Sequence, residues 1–302
     1  MKVLITGATG FIGKSLCNAL REAGHTLIAL SRNETLAMRR VSSLQQAFSW
    51  NPLMPLIQQE AFVGVDAVIN LAGETVAGKW NVAKKNAIRD SRVLGTRNLV
   101  AGIEALNTKP KVLISANAVG YYGDRGEDIL MEDEPPGSDF LATVCRDWEK
   151  EANRAQTFGL RVVCLRIGIV LGPQGGVLQA MLPLSKMGLG GPLGSGRQWW
   201  SWVHRDDVVG LITYALESEL SGPMNATAPE PVRQKRFAGT LGRMLGRPAF
   251  LPAPSMVLKV VLGEFSSELL SSKHVLPEGA QKAGFRFRFS ELESALKNVL
   301  TP

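Results

Sequence analysis

Cysteine is scarce in this chain of 302 residues, and the three present, Cys17, Cys145 and Cys164, form no CxxC pair and stand beside no spaced histidines. An odd count without such spacing indicates neither a disulfide framework nor a zinc site, so no metal is expected and a reducing, cytoplasmic setting is. No uninterrupted apolar run approaches the ~18 residues that cross a bilayer. No signal-peptide pattern precedes the first apolar run, so no membrane partner is expected either. The formal charge is +7, yet lysine and arginine are scattered and no dense basic run occurs. That balance gives a mild attraction for anionic small molecules and excludes a nucleic-acid partner from the expectations. Internal repeats and low-complexity tracts are also missing. The length suits a nucleotide-binding domain with a smaller companion. It leaves the oligomeric state open, a homodimer being one option.

What is present is concentrated at the start. Val3 to Ile5 form a short apolar run, and Gly7, Gly10 and Gly13 follow at three-residue intervals before Ile12, Leu16 and Leu20 open a helical stripe. Gly7 permits the tight turn off a strand, Gly10 removes a side chain where backbone approaches a pyrophosphate, and Gly13 lets the helix lie close. The helix N-terminus then offers free N–H groups and positive dipole to phosphate. Gly24 stands where a helix C′ glycine belongs, and Thr26 to Leu30 is a second apolar strand ending in Ser31-Arg32. An acid at that point would hold the ribose 2′-hydroxyl of NAD. Arginine with a neighbouring serine fits a 2′-phosphate instead, and points to NADP(H).

Further along, Val65 to Leu71 reads as a third strand running into Ala72-Gly73-Glu74, where small residues let a cofactor lie close. Residues 33–59 carry no clear pattern. Lys79 to Leu106 reads as one long helix or a bent pair, with Ile88, Leu99, Ile103 and Leu106 inward and Arg89 and Arg92 on the same stretch. Lys111 to Ser115 is a strand leading into Asn117 and the pair Tyr121-Tyr122, and a helix from Asp139 to about Phe158 precedes another strand, Leu160 to Ile167. After Gly172 the chain becomes glycine-rich around a helix holding Leu178 and Met181. Trp199, Trp200 and Trp202 then offer a stacking platform or core filling. Asp206 or Asp207 should cap the apolar helix that follows. Beyond Pro229, Ser255 should cap a second helix through Leu262, Phe285 to Phe289 alternates like a half-buried strand, and Ser290 with Glu293 reads as a capping box. Strands alternating with helices imply an α/β doubly wound parallel sheet of Rossmann type with a smaller, mostly helical C-terminal substrate region. The expected organisation is a dinucleotide-binding domain over 1–164, a segment over 165–228 that completes it and walls the substrate cleft, and a small domain over 229–302.

Thr6 to Gly13, Asn70-Leu-Ala-Gly73, Gly95-Thr-Arg-Asn98, Tyr122-Gly-Asp124, Leu165-Arg166 and Trp202 to Asp207 together resemble the extended short-chain dehydrogenase/reductases of the NAD-dependent epimerase/dehydratase type. Ser115 to Gly123, Gly188 to Pro192 and Ser272 to Pro277 resemble its divergent epimerase-family branch, whose members carry an added C-terminal domain and no assigned substrate. The resemblance implies NADP(H) held by Gly7, Thr9, Gly10, Phe11, Ile12, Gly13, Ser31, Arg32, Leu71, Ala72, Gly73, Glu74, Arg92, Ser115, Arg166, Ile167 and Gly168. That superfamily moves its proton with a Tyr and a Lys four residues apart, the lysine lowering the tyrosine pKa. The matching positions here are Leu141 and Cys145, with Asn117 and Arg92 replacing the supporting serine and asparagine. An oxidoreductase or epimerase-like protein would need a relocated acid, Tyr121 or Tyr122, with Asn117 donating to a substrate carbonyl. The alternatives are a non-catalytic NADP(H)-binding sensor or scaffold, with Arg92 as a phosphate ligand, and a binding module for another nucleotide or aromatic metabolite.

Overall fold

The computed structural model describes residues 1–55, 57–173 and 175–301. In chain order the first half runs β1 (Lys2–Thr6), α1 (Phe11–Glu22), β2 (Thr26–Ser31), α2 (Glu34–Arg40), β3 (Gln46–Ser49), β4 (Ala67–Asn70), α3 (Val82–Glu104) and β5 (Val112–Ala118). It continues through β6 (Ile129–Leu130), α4 (Phe140–Asn153), β7 (Arg161–Ile167), β8 (Ile169–Leu171), α5 (Gly176–Lys186), β9 (Trp199–Trp200), β10 (Trp202–His204), α6 (Arg205–Glu217) and β11 (Gly222–Ala226). The C-terminal part holds β12 (Val232–Arg233), α7 (Gln234–Met244), α8 (Ser255–Leu262), α9 (Phe265–Leu270), β13 (His274–Val275), α10 (Glu278–Lys282) and α11 (Leu292–Leu300).

The main sheet has the order β11-β7-β5-β4-β1-β2-β3, and every pairing in it is parallel. Its central strands are buried along nearly their whole length because helices cover both faces, which is why they read as continuous apolar runs. Leu16, Cys17 and Leu20 of α1 join one apolar layer and Leu99, Val100 and Ile103 of α3 the other. Helix α1 ends where Gly24 takes φ +82°, with Gly24 N–H on Arg21 O and His25 N–H on Leu20 O, so the last carbonyls are satisfied. The chain reverses direction across the sheet at β1, which lies between β2 and β4, and such a switch point opens a crevice at the carboxyl ends of the strands.

Several sequence expectations change here. The unpatterned stretch holds α2 and β3, the latter with only Phe48 as a large apolar residue, which is why no period was visible. The boundary set at 164 falls inside β7, and β11 adds the last strand, so the sheet draws on residues up to Ala226. Phe285 to Phe289 does alternate in burial but makes no ladder. Its N–H groups at Arg288 and Phe289 bond the Asp207 carboxylate at 2.7 and 3.0 Å. Asp207 is therefore not the cap of α6. His204 is, its Nδ1 accepting from Asp206 N–H at 3.1 Å. Helix α8 begins at Ser255 and α11 is preceded by Glu291, neither with a capping side chain, so Ser255 and the Ser290–Glu293 box do not act as predicted. Trp200 and Trp202 are core residues of a third apolar cluster with Phe237, Phe289 and Leu296. Trp199 alone is partly open, stacked on His274 at 4.0 Å.

Candidate functional site

At the carboxyl ends of β1, β2 and β4 a cleft of about 420 Å³ opens. Gly7, Thr9 and Gly10 form one wall, Ser31 and Arg32 one end, and Leu71, Ala72, Gly73 and Glu74 the facing wall. Gly7 has φ +73°, and a Cβ there would stand 2.7 Å from the Leu71 carbonyl, so glycine alone lets the two walls approach. Gly13 lies behind the turn. A Cβ on it would stand 2.2 Å from Gly7 O, so this glycine sets the helix against the loop backbone, closer than a fit against the sheet alone would ask. Gly10 precedes α1 without any capping side chain, which leaves first-turn N–H groups of that helix for an anion.

The strand ends are locked below the cleft by a buried polar chain. Thr6 Oγ1 donates to Asn70 Oδ1 at 2.7 Å, and Asn70 Nδ2 donates to Thr96 Oγ1 at 2.9 Å and Ser115 Oγ at 3.3 Å. Thr6 Oγ1 also accepts from Ala72 N–H at 3.1 Å. Asn70 is thus a brace across β1, β4 and β5, and Ser115 belongs to that brace and not to the cleft lining.

Other expected contacts also lie elsewhere. Arg92 does not open into the cleft: its Nη1 donates to Glu74 O at 2.9 Å and Ile88 O at 3.2 Å, and its guanidinium sits 5.3 Å over Trp148. It holds the Gly73–Glu74 wall in place as a strut, and burial lowers its pKa. Glu74 is paired with Lys84 at 2.8 Å, and that hydrogen bond holds its carboxyl below the usual range. The Phe11 ring packs under the glycines of the segment from Gly172 to Gly176, where a Cβ on Gly175 would meet it at 2.2 Å. Ile12 packs on the core, while Gly168 follows Ile167 and bonds Ala226 O at 3.1 Å.

Arg166, 2 % exposed, spends its guanidinium on Glu149 at 2.9 and 3.1 Å, on Tyr122 Oη at 2.9 Å and on Glu132 O at 2.8 Å. The three catalytic candidates gather around this pair and away from the cleft. Asn117 Nδ2 donates to Cys145 O at 3.1 Å and Glu149 Oε2 at 2.9 Å, so both its amide hydrogens are used within the protein. Tyr122 is fully buried, with its hydroxyl beside Asn225 Oδ1 at 2.7 Å and Met131 O at 3.0 Å. Burial pushes that hydroxyl up to about 12 against the pull of Arg166. Tyr121 lays its ring 3.6 Å from the Arg166 guanidinium, and burial raises its pKa as well.

Trp50, Asn51, Pro52 and Leu53 also line the cleft, next to Leu30 and Ser31, and sequence reasoning missed them. Trp50 N–H donates to Ser31 O at 2.8 Å and its indole Nε1 is buried with no partner among the described residues. A lone tryptophan followed by Asn-Pro after the strand was the available signal. Pro52 is fixed in turn by Asn98, whose Nδ2 donates to Pro52 O at 2.8 Å, so the Gly95-Thr-Arg-Asn98 motif serves this wall.

The cysteines behave as packing. Burial pushes Cys17 and Cys145 up to about 12 and raises Cys164 too. Thiols raised in the folded state contribute stability that is whole below the unfolded value of 9.0 and is lost as pH rises from there towards about 12. The expected result is that Ellman's reagent at pH 8 labels no thiol in the native protein and all of them in denaturant, and that urea midpoints fall above pH 9. Labelling of Cys145 in the native protein would contradict this.

Sheet order, glycine turn and brace together define a doubly wound dinucleotide-binding protein of the extended short-chain dehydrogenase/reductase kind. The chain belongs to the NAD-dependent epimerase/dehydratase family, whose model matches residues 3–226, and a domain of unknown function (DUF1731) matches residues 253–299. The epimerase family protein SDR39U1 homolog, chloroplastic, of Arabidopsis thaliana is 40 % identical over 99 % of this chain and 87 % of its own. Epimerase family protein YfhF of Bacillus subtilis is 38 % identical over 99 % of this chain and 98 % of its own. The crystal structure of human epimerase family protein SDR39U1 with NADPH superposes with TM-score 0.89 at 34 % identity, covering 99 % of both chains. A UDP-glucuronic acid 4-epimerase from Bacillus cereus shares the fold, with TM-score 0.78 at 20 % identity over 99 % of this chain and 98 % of its own. Among the described residues no helix is long and apolar enough to cross a membrane, and no group of three His, Cys, Asp or Glu is placed to hold a metal ion.

Proposed function

We propose that this chain is an NADP(H)-dependent oxidoreductase of the extended short-chain type that acts on a small molecule without the usual tyrosine–lysine relay. The observation that carries the reading is Arg32, which lines the end of the cleft beside Ser31 and makes no ion pair among the described residues. A charged arginine left open at that position fits a 2′-phosphate. The human relative was crystallised with NADPH, which supports the same cofactor here. The residues fit the group: the glycine turn would take the pyrophosphate on bare backbone, and Leu71 to Gly73 would lie along it with only one large side chain. The apolar end with Trp50 and Leu53 suits an aromatic base. NADP(H) supplies the hydride, and this chain's residues bind it, orient it and wall off water.

Arg32→Ala should reduce NADPH affinity by about 10- to 100-fold, the loss of charged hydrogen bonds to phosphate, and leave NADH affinity unchanged. Fluorescence titration of reduced cofactor checks it, and equal affinity of the parent protein for NADPH and NADH would refute the assignment. Leu141 and Cys145 at the relay positions favour a second reading, a cofactor-responsive binding protein. Cofactor binding without oxidation of NADPH across a panel of carbonyl compounds would decide for it.

A further inference from the structure

A second cavity, of about 660 Å³, lies between the first turns of α3 and α4 and the paired helices α8 and α9. It shares the start of α3 with the cofactor cleft, Lys85 lining the cavity and Ala87 and Ser91 the cleft. From its wall and its chemistry we propose that it binds a flat, uncharged aromatic carbonyl compound of the quinone class, and not a nucleoside diphosphate sugar. The proposal rests on the reading of the chain as an NADP(H) oxidoreductase and names the substrate class of that site.

The volume suits a molecule of two or three fused rings. Trp80 and Phe140 supply its aromatic lining, meeting edge-on at 5.4 Å with Lys85 Nζ 4.9 Å over the Phe140 ring, and Trp80 is held by Phe265 at 5.9 Å and by its Nε1 donating to Val76 O at 2.7 Å. Such faces stack flat rings at little ordering cost. Most of the charges around it are committed within the protein, Lys259 excepted. Lys85 pairs with Glu264 at 2.6 Å, Glu268 with Lys273 at 3.1 Å, and Asp139 caps α4 through Ala142 N–H at 2.9 Å. A diphosphate asks for arginine forks, yet no arginine is among the described lining residues, and the carboxylates of Asp124, Asp139, Glu264 and Glu268 outnumber the ammonium groups of Lys85 and Lys259. A dianion placed there would find only Lys259 uncommitted among the described lining cations, with the carboxylates of Asp124 and Asp139 beside it.

The missing acid selects the same class. Leu141 lines this cavity at the relay position, Cys145 follows one turn on as a buried thiol, and Asn117 and Tyr122 are spent on Glu149, Asn225 and backbone. An aliphatic carbonyl that accepts hydride becomes a strongly basic alkoxide and needs a proton from the site as it forms. A quinone that accepts hydride becomes a hydroquinone monoanion, whose charge the new aromatic ring delocalises. In balance, the reduced nicotinamide loses a hydride and is oxidised, the quinone gains it and is reduced, and one proton from water completes the hydroquinone. No side chain of this chain has to change protonation.

Calorimetric titration of the full chain, held with excess NADP⁺ so that no reduction occurs, tests this with 9,10-phenanthrenequinone and UDP-glucuronic acid as probes. The expected result is saturable heat with the quinone and none with the nucleotide sugar. Trp80→Ala should weaken the quinone by about tenfold or more through loss of the stacking face. Ser267→Trp, at an exposed lining position, should block it with the fold kept. Both variants should bind NADP⁺ as the parent does. Binding of the sugar instead, or quinone binding indifferent to both variants, overturns the proposal and leaves the oxidoreductase reading standing. If NADP⁺ itself fails to bind, that reading falls, and the quinone titration without cofactor still decides the ligand class of the cavity.

Discussion

Gly13→Ala should weaken NADPH by about 10- to 100-fold while the protein stays folded, the loss expected when charge-assisted hydrogen bonds from backbone N–H groups to phosphate are broken. The added carbon would stand 2.2 Å from Gly7 O and 2.9 Å from Ala8 Cα, and both are backbone atoms that cannot rotate away. Either α1 lifts or the turn from Gly7 to Gly10 opens, and either movement takes the helix N-terminus from the point where its N–H groups and dipole would meet phosphate. Gly7 O also accepts the Gly10 N–H at 2.9 Å, so the turn has no slack of its own. Gly239→Ala is the matched control. It sits inside α7 with nothing within 4 Å of the new carbon, and should stabilise the protein by about 0.5–1 kcal/mol with cofactor affinity unchanged. Fluorescence titration with NADPH and urea unfolding of both variants check the pair. Parent-like NADPH binding by Gly13→Ala would remove the glycine turn as the phosphate cradle.

The central fold was legible because its signals are local. Apolar runs such as Val3 to Ile5 follow from burial on both sheet faces, and Gly24 follows from the left-handed conformation its helix end requires. The cleft walls from Gly7 to Gly10 and from Leu71 to Glu74 were legible for the same reason, since close approach demands small residues in sequence. Long-range commitments left no such trace. Asp207 looks like any helix-capping acid until Phe289 arrives 82 residues later to claim it, and Arg166 looks like a cofactor contact until Glu149 and Tyr122 fold against it. Trp50 was missed because the short strand before it has too little apolar pattern to place the residue at the cleft.

Arg166→Met should cost about 3–5 kcal/mol of stability, the range for one half of a buried ion pair left alone. In the native protein the guanidinium reaches both carboxylate oxygens of Glu149 through Nε and Nη2, and Nη1 donates to Tyr122 Oη and Glu132 O. Burial is the largest single influence and works to lower the arginine's pKa, but the hydrogen bonds and charge of Glu149 together with Tyr122 outweigh it, so its pKa ends raised. Removing the arginine strands a carboxylate that is 11 % exposed, keeping only the Asn117 amide at 2.9 Å. Arg166→Met with Glu149→Leu leaves no buried charge and should recover about 2 kcal/mol or more relative to the sum of the single changes. Urea unfolding at pH 7 measures every arm of the cycle. Additive losses would mean that the pair is not coupled. Coupling of the expected size would mean that β5, β7 and α4 are fastened, beside the relay positions, by an ion pair to which Asn117 and Tyr122 are themselves hydrogen-bonded.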